Sequence, residues 1–203
     1  MRSVSASELQ KWLRDGKTLE EDSRGPKVVA LPCGRFLKIF HTRRHPLLAR
    51  LRPAALRFAR NTERLRAMGI SAPEVLEIFW LERQIGLSAC LYRPLPGESV
   101  ESFYRQTPGA IDQLLPSLAD FIRQLHELGI YFRSLHLGNI IRLPDHGFGL
   151  IDVLDLRCRN RPLNAWQIQR NFNHLIRYID RQQLPGFPLD TLQELYRRNL
   201  QPT

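Results

Sequence analysis

The chain has 203 residues, of which 43% are hydrophobic and 25% are charged, as in an ordinary globular protein with its own core. Its apolar runs are far too short to span a membrane, and its N-terminus lacks the hydrophobic stretch of a signal peptide. Three cysteines at distant positions, 33, 90 and 158, argue against a disulfide framework or a zinc site. We therefore expect a cytoplasmic protein with buried thiols.

The positive charge is concentrated in one part of the chain. The formal net charge is +10, and residues 35–66 contain ten basic residues but a single acid, Glu63, so this span alone contributes +9. Such a field attracts phosphate groups on nucleotides, nucleic acids, lipid headgroups or sugars. The alternative is an arginine-rich helix that is simply solvated, and composition alone does not separate the two interpretations.

The first half of the chain predicts strands interrupted by helix. Residues 5–8 have the spacing of a capping box, and Gly16 can end the helix that follows. Turn residues 23–26 separate the two strands of a hairpin, and Lys38 lies within the next strand, residues 35–40. Leucines and alanines at helical spacing predict one or two helices over residues 46–68, and residues 73–82 and 86–95 predict two further strands.

The second half predicts mostly helix. An amphipathic helix covers residues 111–128 and ends at Gly129, and two short strands, 139–143 and 148–153, flank the turn 144–147. A basic loop, residues 157–162, precedes helices near 164–180 and 188–199. Any boundary within the chain is expected near residues 94–97, where two prolines and a glycine follow the last strand of the first half.

Four features follow one another in a recognisable order: Lys38 in a strand, Glu63 on the next helix, the loop at 133–139, and Asp152 at the end of an apolar strand. Within the loop, residues 135–139 read LHLGN, and residues 150–152 read LID eleven positions later. This pattern resembles the protein-kinase-like superfamily over residues 18–180. More closely, it resembles the bacterial lipopolysaccharide core kinases (heptose and Kdo kinase-like) and the related toluene tolerance proteins.

The resemblance implies a nucleotide site. Lys38 would bind the α- and β-phosphates of ATP, Glu63 would hold the Lys38 ammonium in place, and Gly25 would belong to the loop that covers the phosphates. Tyr92 and Arg93 complete the residues expected to contact the nucleotide. Lys38 as a strand-end lysine that reaches solvent, and Glu63 as the partner of a nearby arginine, remain the alternatives for these two side chains.

The resemblance also implies a magnesium site. Asn139 and Asp152 would bind Mg²⁺, since hard cations prefer amide and carboxylate oxygens. We expect the Asp152 carboxylate to be buried at its strand end and therefore to need a metal or a charged partner. His136 is expected to organise the loop by hydrogen bonds, and His126 to be a structural histidine.

The catalytic position departs from the family pattern. The family has an aspartate that takes the proton of the attacking hydroxyl, and this chain has Ser134, which is a poor base without an activating partner. Asp155 is a candidate substitute base. Asp152 is followed by valine and leucine instead of phenylalanine and glycine, and Gly25 is a single glycine where the family has several.

The predicted fold is α+β, a single kinase-like domain in two lobes: residues 1–94 with an antiparallel sheet and one main helix, and residues 95–203 as a reduced helical lobe. The predicted function is binding of ATP and Mg²⁺, with phosphorylation of a lipopolysaccharide core sugar or another small acceptor. An anionic glycolipid or the inner membrane surface is a further expected partner. The alternatives are a pseudokinase that acts as a nucleotide-dependent regulator or scaffold, and a basic nucleic-acid-binding protein.

Overall fold

The computed structural model describes residues 1–41 and 46–198 of the chain. The chain divides into two compact units, Met1–Pro94 and Leu95–Thr203, and each unit contains both strands and helices. The predicted α+β class is therefore confirmed. Arg43 and Arg44, two of the ten basic residues between positions 35 and 66, lie outside the described residues.

The first unit is built on a six-stranded sheet with the order β1-β5-β6-β4-β3-β2. Its strands are β1 (Arg2–Ser3), β2 (Lys17–Asp22), β3 (Gly25–Ala30), β4 (Phe36–Phe40), β5 (Glu74–Glu82) and β6 (Leu87–Arg93). All neighbouring strands pair antiparallel except the short edge strand β1, which pairs parallel to β5. The predicted hairpin and the three longer strands of this half are confirmed.

Three helices accompany this sheet: α1 (Ala6–Asp15), α2 (Pro46–Leu51) and α3 (Ala54–Ala67). The predicted start of α1 is confirmed, because the Ser5 hydroxyl accepts a hydrogen bond from the backbone N–H of Glu8. The reciprocal half of the capping box is not formed. The Glu8 carboxylate instead accepts two hydrogen bonds from the Arg2 guanidinium.

The alternation of side chains along β4 divides the sheet into two covered faces. Leu37 and Ile39 point into a core shared with α1, where Trp12 packs on Phe79 with ring centroids 5.3 Å apart. The intervening residues of β4 face α3, so the Lys38 ammonium lies over the ring of Phe58. The sequence therefore places Lys38 on the face opposite to α1.

The second unit combines helices with two small sheets. Its elements in chain order are β7 (Glu98–Ser99), α4 (Val100–Gln106), α5 (Ile111–Glu127), β8 (Ile130–Tyr131), β9 (Ile140–Arg142), β10 (Phe148–Leu150), β11 (Arg157–Cys158), α6 (Ala165–Arg181) and α7 (Leu189–Arg198). The sheets have the orders β10-β9-β7 and β11-β8. Helix α5 supplies much of the core through Leu115, Leu118, Ile122 and Leu125, each no more than 1% exposed.

Some elements of the second unit were not predicted. Helix α4 has seven residues, and strands β7, β8 and β11 have two residues each, which is too short for a periodic pattern to develop. One local signal for α4 is present, since the Ser99 hydroxyl accepts a hydrogen bond from the backbone N–H of Ser102.

Two sets of side chains are more exposed than core residues, and for the cysteines this contradicts the expectation of buried thiols. Leu47, Leu48 and Leu51 of α2 have helical spacing but are 59%, 58% and 79% exposed, so they do not belong to the core. Of the three cysteines only Cys90 is buried, whereas Cys33 is exposed and Cys158 is partly exposed. None of the helices that the structure describes is long and apolar enough to cross a membrane.

Candidate functional site

The hairpin of β9 and β10 brings Asn139 and Asp152 to the same end of the second unit. Leu150 pairs with Ile140, and the backbone N–H of Ile151 donates to the carbonyl of Asn139 at 3.0 Å. Asp152 follows directly after this last hydrogen bond. Two residues with oxygen-bearing side chains, thirteen positions apart in the sequence, thus lie at the same end of the hairpin backbone.

The side chain of Asn139 is held in one orientation. It is 7% exposed, and its amide nitrogen contacts the Ser134 carbonyl at 3.0 Å and His136 Nε2 at 3.1 Å. Burial lowers the pKa of His136 to about 4, so the imidazole is neutral and Nε2 can accept from the amide. Both Asn139 amide hydrogens are then engaged, and the amide oxygen is left to accept or to bind a cation. The predicted role of His136 in organising the loop is confirmed.

The loop is packed against two residues that the sequence did not indicate. The His136 ring stacks on Tyr178 of α6, with centroids 3.8 Å apart and planes 6° apart, and the Tyr178 hydroxyl donates to the Glu101 carboxylate. Gly138 passes so close that a Cβ there would overlap the Tyr178 hydroxyl. Burial and the Glu101 hydrogen bond raise the pKa of Tyr178, which therefore remains a hydrogen-bond donor.

Ser134 has a carboxylate as its partner. Its hydroxyl donates to Asp155 Oδ2 at 2.8 Å, and Asp155 belongs to the short 3-10 turn Val153–Asp155. The other oxygen of this carboxylate, Oδ1, is buried and has no hydrogen-bond partner within the described part of the chain. Burial is the main cause that raises the pKa of Asp155, and the Ser134 hydrogen bond opposes it. A desolvated carboxylate with an unused oxygen is a stronger base than a solvated one.

The environment of the Asp152 side chain differs from the buried one that we expected. Its side chain is exposed rather than buried, and its backbone is left-handed, with φ 51° and ψ 41°. Aspartate tolerates this conformation better than most residues, but it still carries strain that often accompanies functional sites. The turn places the Asp152 charge near Asp155, where it contributes to raising the pKa of that carboxyl.

The residues at this end of the hairpin fit a magnesium ion. Within residues 1–41 and 46–198, no group of three or more His, Cys, Asp or Glu side chains is arranged to hold a metal by itself. Mg²⁺ in nucleotide sites uses one or two protein carboxylates and completes its shell with phosphates and water. The free Asn139 amide oxygen and the Asp152 carboxylate are ligands of this kind.

The buried side chain of His126 is connected to the loop through hydrogen bonds of Asn171. His126 on α5 contacts the Tyr196 hydroxyl through Nδ1 at 2.9 Å and the Asn171 side-chain oxygen through Nε2 at 3.2 Å. The Asn171 amide in turn donates to the carbonyl of Phe132, two residues before Ser134, at 2.9 Å. The expectation that His126 is a structural histidine is confirmed, and Asn171 is a loop-positioning residue that the sequence did not indicate.

His126 should make stability depend on pH. Burial lowers its pKa from 6.5 to about 4, so between these values the unfolded chain binds a proton that the folded chain does not. Stability is therefore expected to fall by roughly 2–3 kcal/mol as pH drops from 7 to about 4, with His136 adding in the same direction. Urea unfolding across this range should show a shallower pH slope for His126→Gln than for the wild type. The exposed His146, changed to Asn, is the control, and an unchanged slope in His126→Gln would contradict the assignment.

In the first unit, Lys38 is half-buried in β4, with its ammonium 5.8 Å from the centroid of the Phe58 ring. Glu63 lies elsewhere on α3. It is exposed and lines a groove together with Arg66, Glu74 and other residues of β5. Among the ion pairs of the described residues there is none between Glu63 and Lys38. The structure therefore does not bring these two predicted site residues together, and Glu63 instead shares its groove with a nearby arginine.

In the hairpin that contains Gly25, the basic side chains already form ion pairs with acidic side chains. Gly25 opens β3 with φ +106°, a conformation that favours glycine, and it pairs across the turn with Asp22. The Arg24 guanidinium donates to the Asp22 carboxylate at 2.8 Å, and the Lys27 ammonium donates to Glu20 at 3.2 Å. The glycine therefore serves the turn, and the basic side chains around it are neutralised locally.

Tyr92 and Arg93 end strand β6. The Tyr92 ring is buried and packs edge-on against Phe36 and Phe58, with centroids 5.7 Å and 6.0 Å away. The Arg93 guanidinium is exposed and donates to the Glu74 carboxylate at 2.6 Å. Both side chains thus have packing or pairing roles within the first unit.

Comparison with known proteins adds a similarity to one enzyme family. Residues 34–134 are similar to the APH family, described as the phosphotransferase enzyme family; the match covers 101 of the 203 residues. The matched segment includes Lys38 and ends at Ser134. Together with the α+β architecture, it supports a protein-kinase-like fold. No curated protein gives a significant match to the chain.

Proposed function

We propose that this protein is a phosphotransferase that binds Mg-ATP and phosphorylates a hydroxyl group of a small acceptor. The observation that carries this proposal is the 2.8 Å hydrogen bond from Ser134 to Asp155, because it supplies a carboxylate at the position where the family aspartate is missing. The similarity to a phosphotransferase family supports the same reaction class and favours it over nucleic-acid binding.

The proposed proton path runs through Ser134. As the acceptor oxygen attacks the γ-phosphorus, its proton passes to Ser134 Oγ, and the serine proton passes along the existing hydrogen bond to Asp155 Oδ2. The bond between the γ-phosphorus and the bridging oxygen breaks, and ADP leaves with the electron pair. Because phosphoryl transfer has a loose transition state, one weak base placed well is sufficient.

Asn139 and Asp152 would hold the magnesium ion through their side-chain oxygens. The ion, when bound, neutralises phosphate charge that develops during transfer. The protein contributes the fixed orientation of the amide, since its two hydrogens are bound by Ser134 and His136. Lys38 is proposed to bind nucleotide phosphate, with the resemblance to kinases as its support.

The proposed acceptor is a core sugar of lipopolysaccharide. This assignment has two supports: the resemblance of the LHLGN and LID elements to lipopolysaccharide core kinases, and the excess of basic residues between positions 35 and 66. An anionic glycolipid acceptor would be attracted by that field.

The second candidate function is a pseudokinase that binds nucleotide without transferring phosphate. One observation favours it: the serine at position 134, where the family has an aspartate. Such a protein would act as a regulator or scaffold whose state depends on nucleotide binding.

The test is to measure melting temperature and γ-phosphate transfer for the purified protein with Mg-ATP, with and without dephosphorylated lipopolysaccharide core. We expect a raised melting temperature and acceptor-dependent ADP release, both diminished in Lys38→Ala and retained in Lys11→Ala, an exposed lysine of α1. A raised melting temperature without transfer to any acceptor would establish the pseudokinase candidate. No response to Mg-ATP would contradict both.

A further inference from the structure

Helix α2 presents an apolar surface that nothing in the described chain covers. Leu47, Leu48 and Leu51 are 59%, 58% and 79% exposed, and they occupy one face of the helix because they are one and four positions apart. Ile85, on the turn between β5 and β6, is a further exposed apolar residue at 47%. Three large aliphatic side chains exposed on consecutive turns of one helix are unusual for a surface without a partner.

The orientation of α2 is determined by packing on its other side. Ala49 is 4% exposed, and it lies so close to Gly86 that a Cβ at Gly86 would overlap the Ala49 side chain. Gly86 is in the turn after Arg83, so the turn between β5 and β6 supports the buried side of α2. The leucines point outward as a consequence of this contact.

The charges around the leucines are mainly positive. Arg50 and Arg52 are exposed beside them, and residues 46–62 contain no acid at all. The turn that supports α2 carries one exposed arginine, Arg83, and one exposed acid, Glu82. An apolar face flanked by arginines is the arrangement of helices that lie in the interface of an anionic membrane.

We propose that α2 docks the protein on an anionic lipid bilayer, with Leu47, Leu48 and Leu51 inserted among the acyl chains and Arg50 and Arg52 on lipid phosphates. A second copy of the chain fits this surface poorly, because a symmetric contact would bring the arginines of both copies together. Leucine is also under-represented among the residues that dominate the binding energy of protein–protein interfaces. The inference does not depend on phosphotransfer and extends the proposed function.

Co-sedimentation with vesicles tests the proposal. Purified wild-type protein is mixed with vesicles of phosphatidylcholine alone or of phosphatidylcholine with phosphatidylglycerol. We expect at least about tenfold tighter binding to the anionic vesicles, and weaker binding as salt is raised. A triple variant with serine at the three leucines should bind the anionic vesicles about tenfold or more weakly; its changes are Leu47→Ser, Leu48→Ser and Leu51→Ser. A double variant with Arg50→Gln and Arg52→Gln should lose most of the preference for phosphatidylglycerol.

Trp166→Ser is the matched control, because Trp166 is 64% exposed and has the Arg170 guanidinium 5.1 Å from its ring. It should bind vesicles as the wild type does, and thermal unfolding should show that every variant is folded. The proposal is overturned if the wild-type protein does not bind anionic vesicles, or if the triple leucine variant binds them as tightly as the wild type. A wild-type dimer that the leucine substitutions convert to monomer, without vesicle binding, would identify a self-association surface instead.

Discussion

Asp155→Asn is expected to lower the phosphotransfer rate by about 10²- to 10⁴-fold, with little change in the affinity for Mg-ATP. The amide can still accept the hydrogen bond that Ser134 now donates to Asp155 Oδ2 at 2.8 Å, so the loop should keep its conformation. It cannot take up a proton, so the acceptor hydroxyl loses its base. Single-turnover transfer and a nucleotide titration on the same samples separate the two effects.

The pH profile gives an independent measurement of the same group. Burial raises the pKa of the Asp155 carboxyl above its ordinary value. The transfer rate of the wild type should therefore fall as the pH is lowered through this raised pKa, because the protonated carboxyl is no longer a base. Asp155→Asn should lack this acidic limb while its residual rate stays flat.

Moving the carboxylate from position 155 to position 134 should restore the phosphotransfer rate. Ser134→Asp in the Asp155→Asn background places the base at the position that the family uses, and it should recover much of the lost rate. Ser134→Ala alone should be nearly as damaging as Asp155→Asn, since the proton path passes through the hydroxyl. A fully active Ser134→Ala would show that the path does not use Ser134, and a fully active Asp155→Asn would remove Asp155 from the chemistry.

Asp152→Asn is expected to abolish most of the stabilisation by Mg-ATP. A ligand present at a hundredfold excess over its dissociation constant stabilises a protein by about 2.7 kcal/mol, which raises the melting temperature of a chain of this size by about 5–10 °C. Asparagine tolerates the left-handed backbone of position 152, where φ is 51°, so the substitution removes the charge and leaves the turn in place. Melting curves with Mg-ATP and with ATP plus a chelator give the comparison.

Asp145→Asn is the matched control for this measurement. Asp145 lies in the turn at the other end of the same hairpin, is exposed, and accepts a hydrogen bond from the backbone N–H of Gly147. The control should keep the full Mg-ATP shift. An Asp152→Asn variant with an undiminished shift would show that the carboxylate at 152 does not hold the metal.

Much of the candidate site could be identified from sequence, because its residues lie in a short segment with recognisable spacing. Asn139 and Asp152 are joined by one hairpin, and a hairpin with a four-residue turn containing Gly147 has local signals. Glu101, Asn171 and Tyr178 could not be identified in this way. Each acts through a contact with the loop from a helix that is at least thirty residues away, and no local pattern encodes such a contact.

Taken by itself, the sequence determined the local elements: the hairpins, the strand that contains Lys38, and the longer helices, since hydrophobic periodicity and capping residues act over a few neighbouring positions. Only the tertiary structure decided that Ser134 meets Asp155, that Glu63 does not meet Lys38, and that the leucines of α2 face outward. Helical spacing is the same for a stripe that packs on a sheet and for one that does not. The side that becomes buried depends on partners distant in sequence, such as Gly86 beneath Ala49.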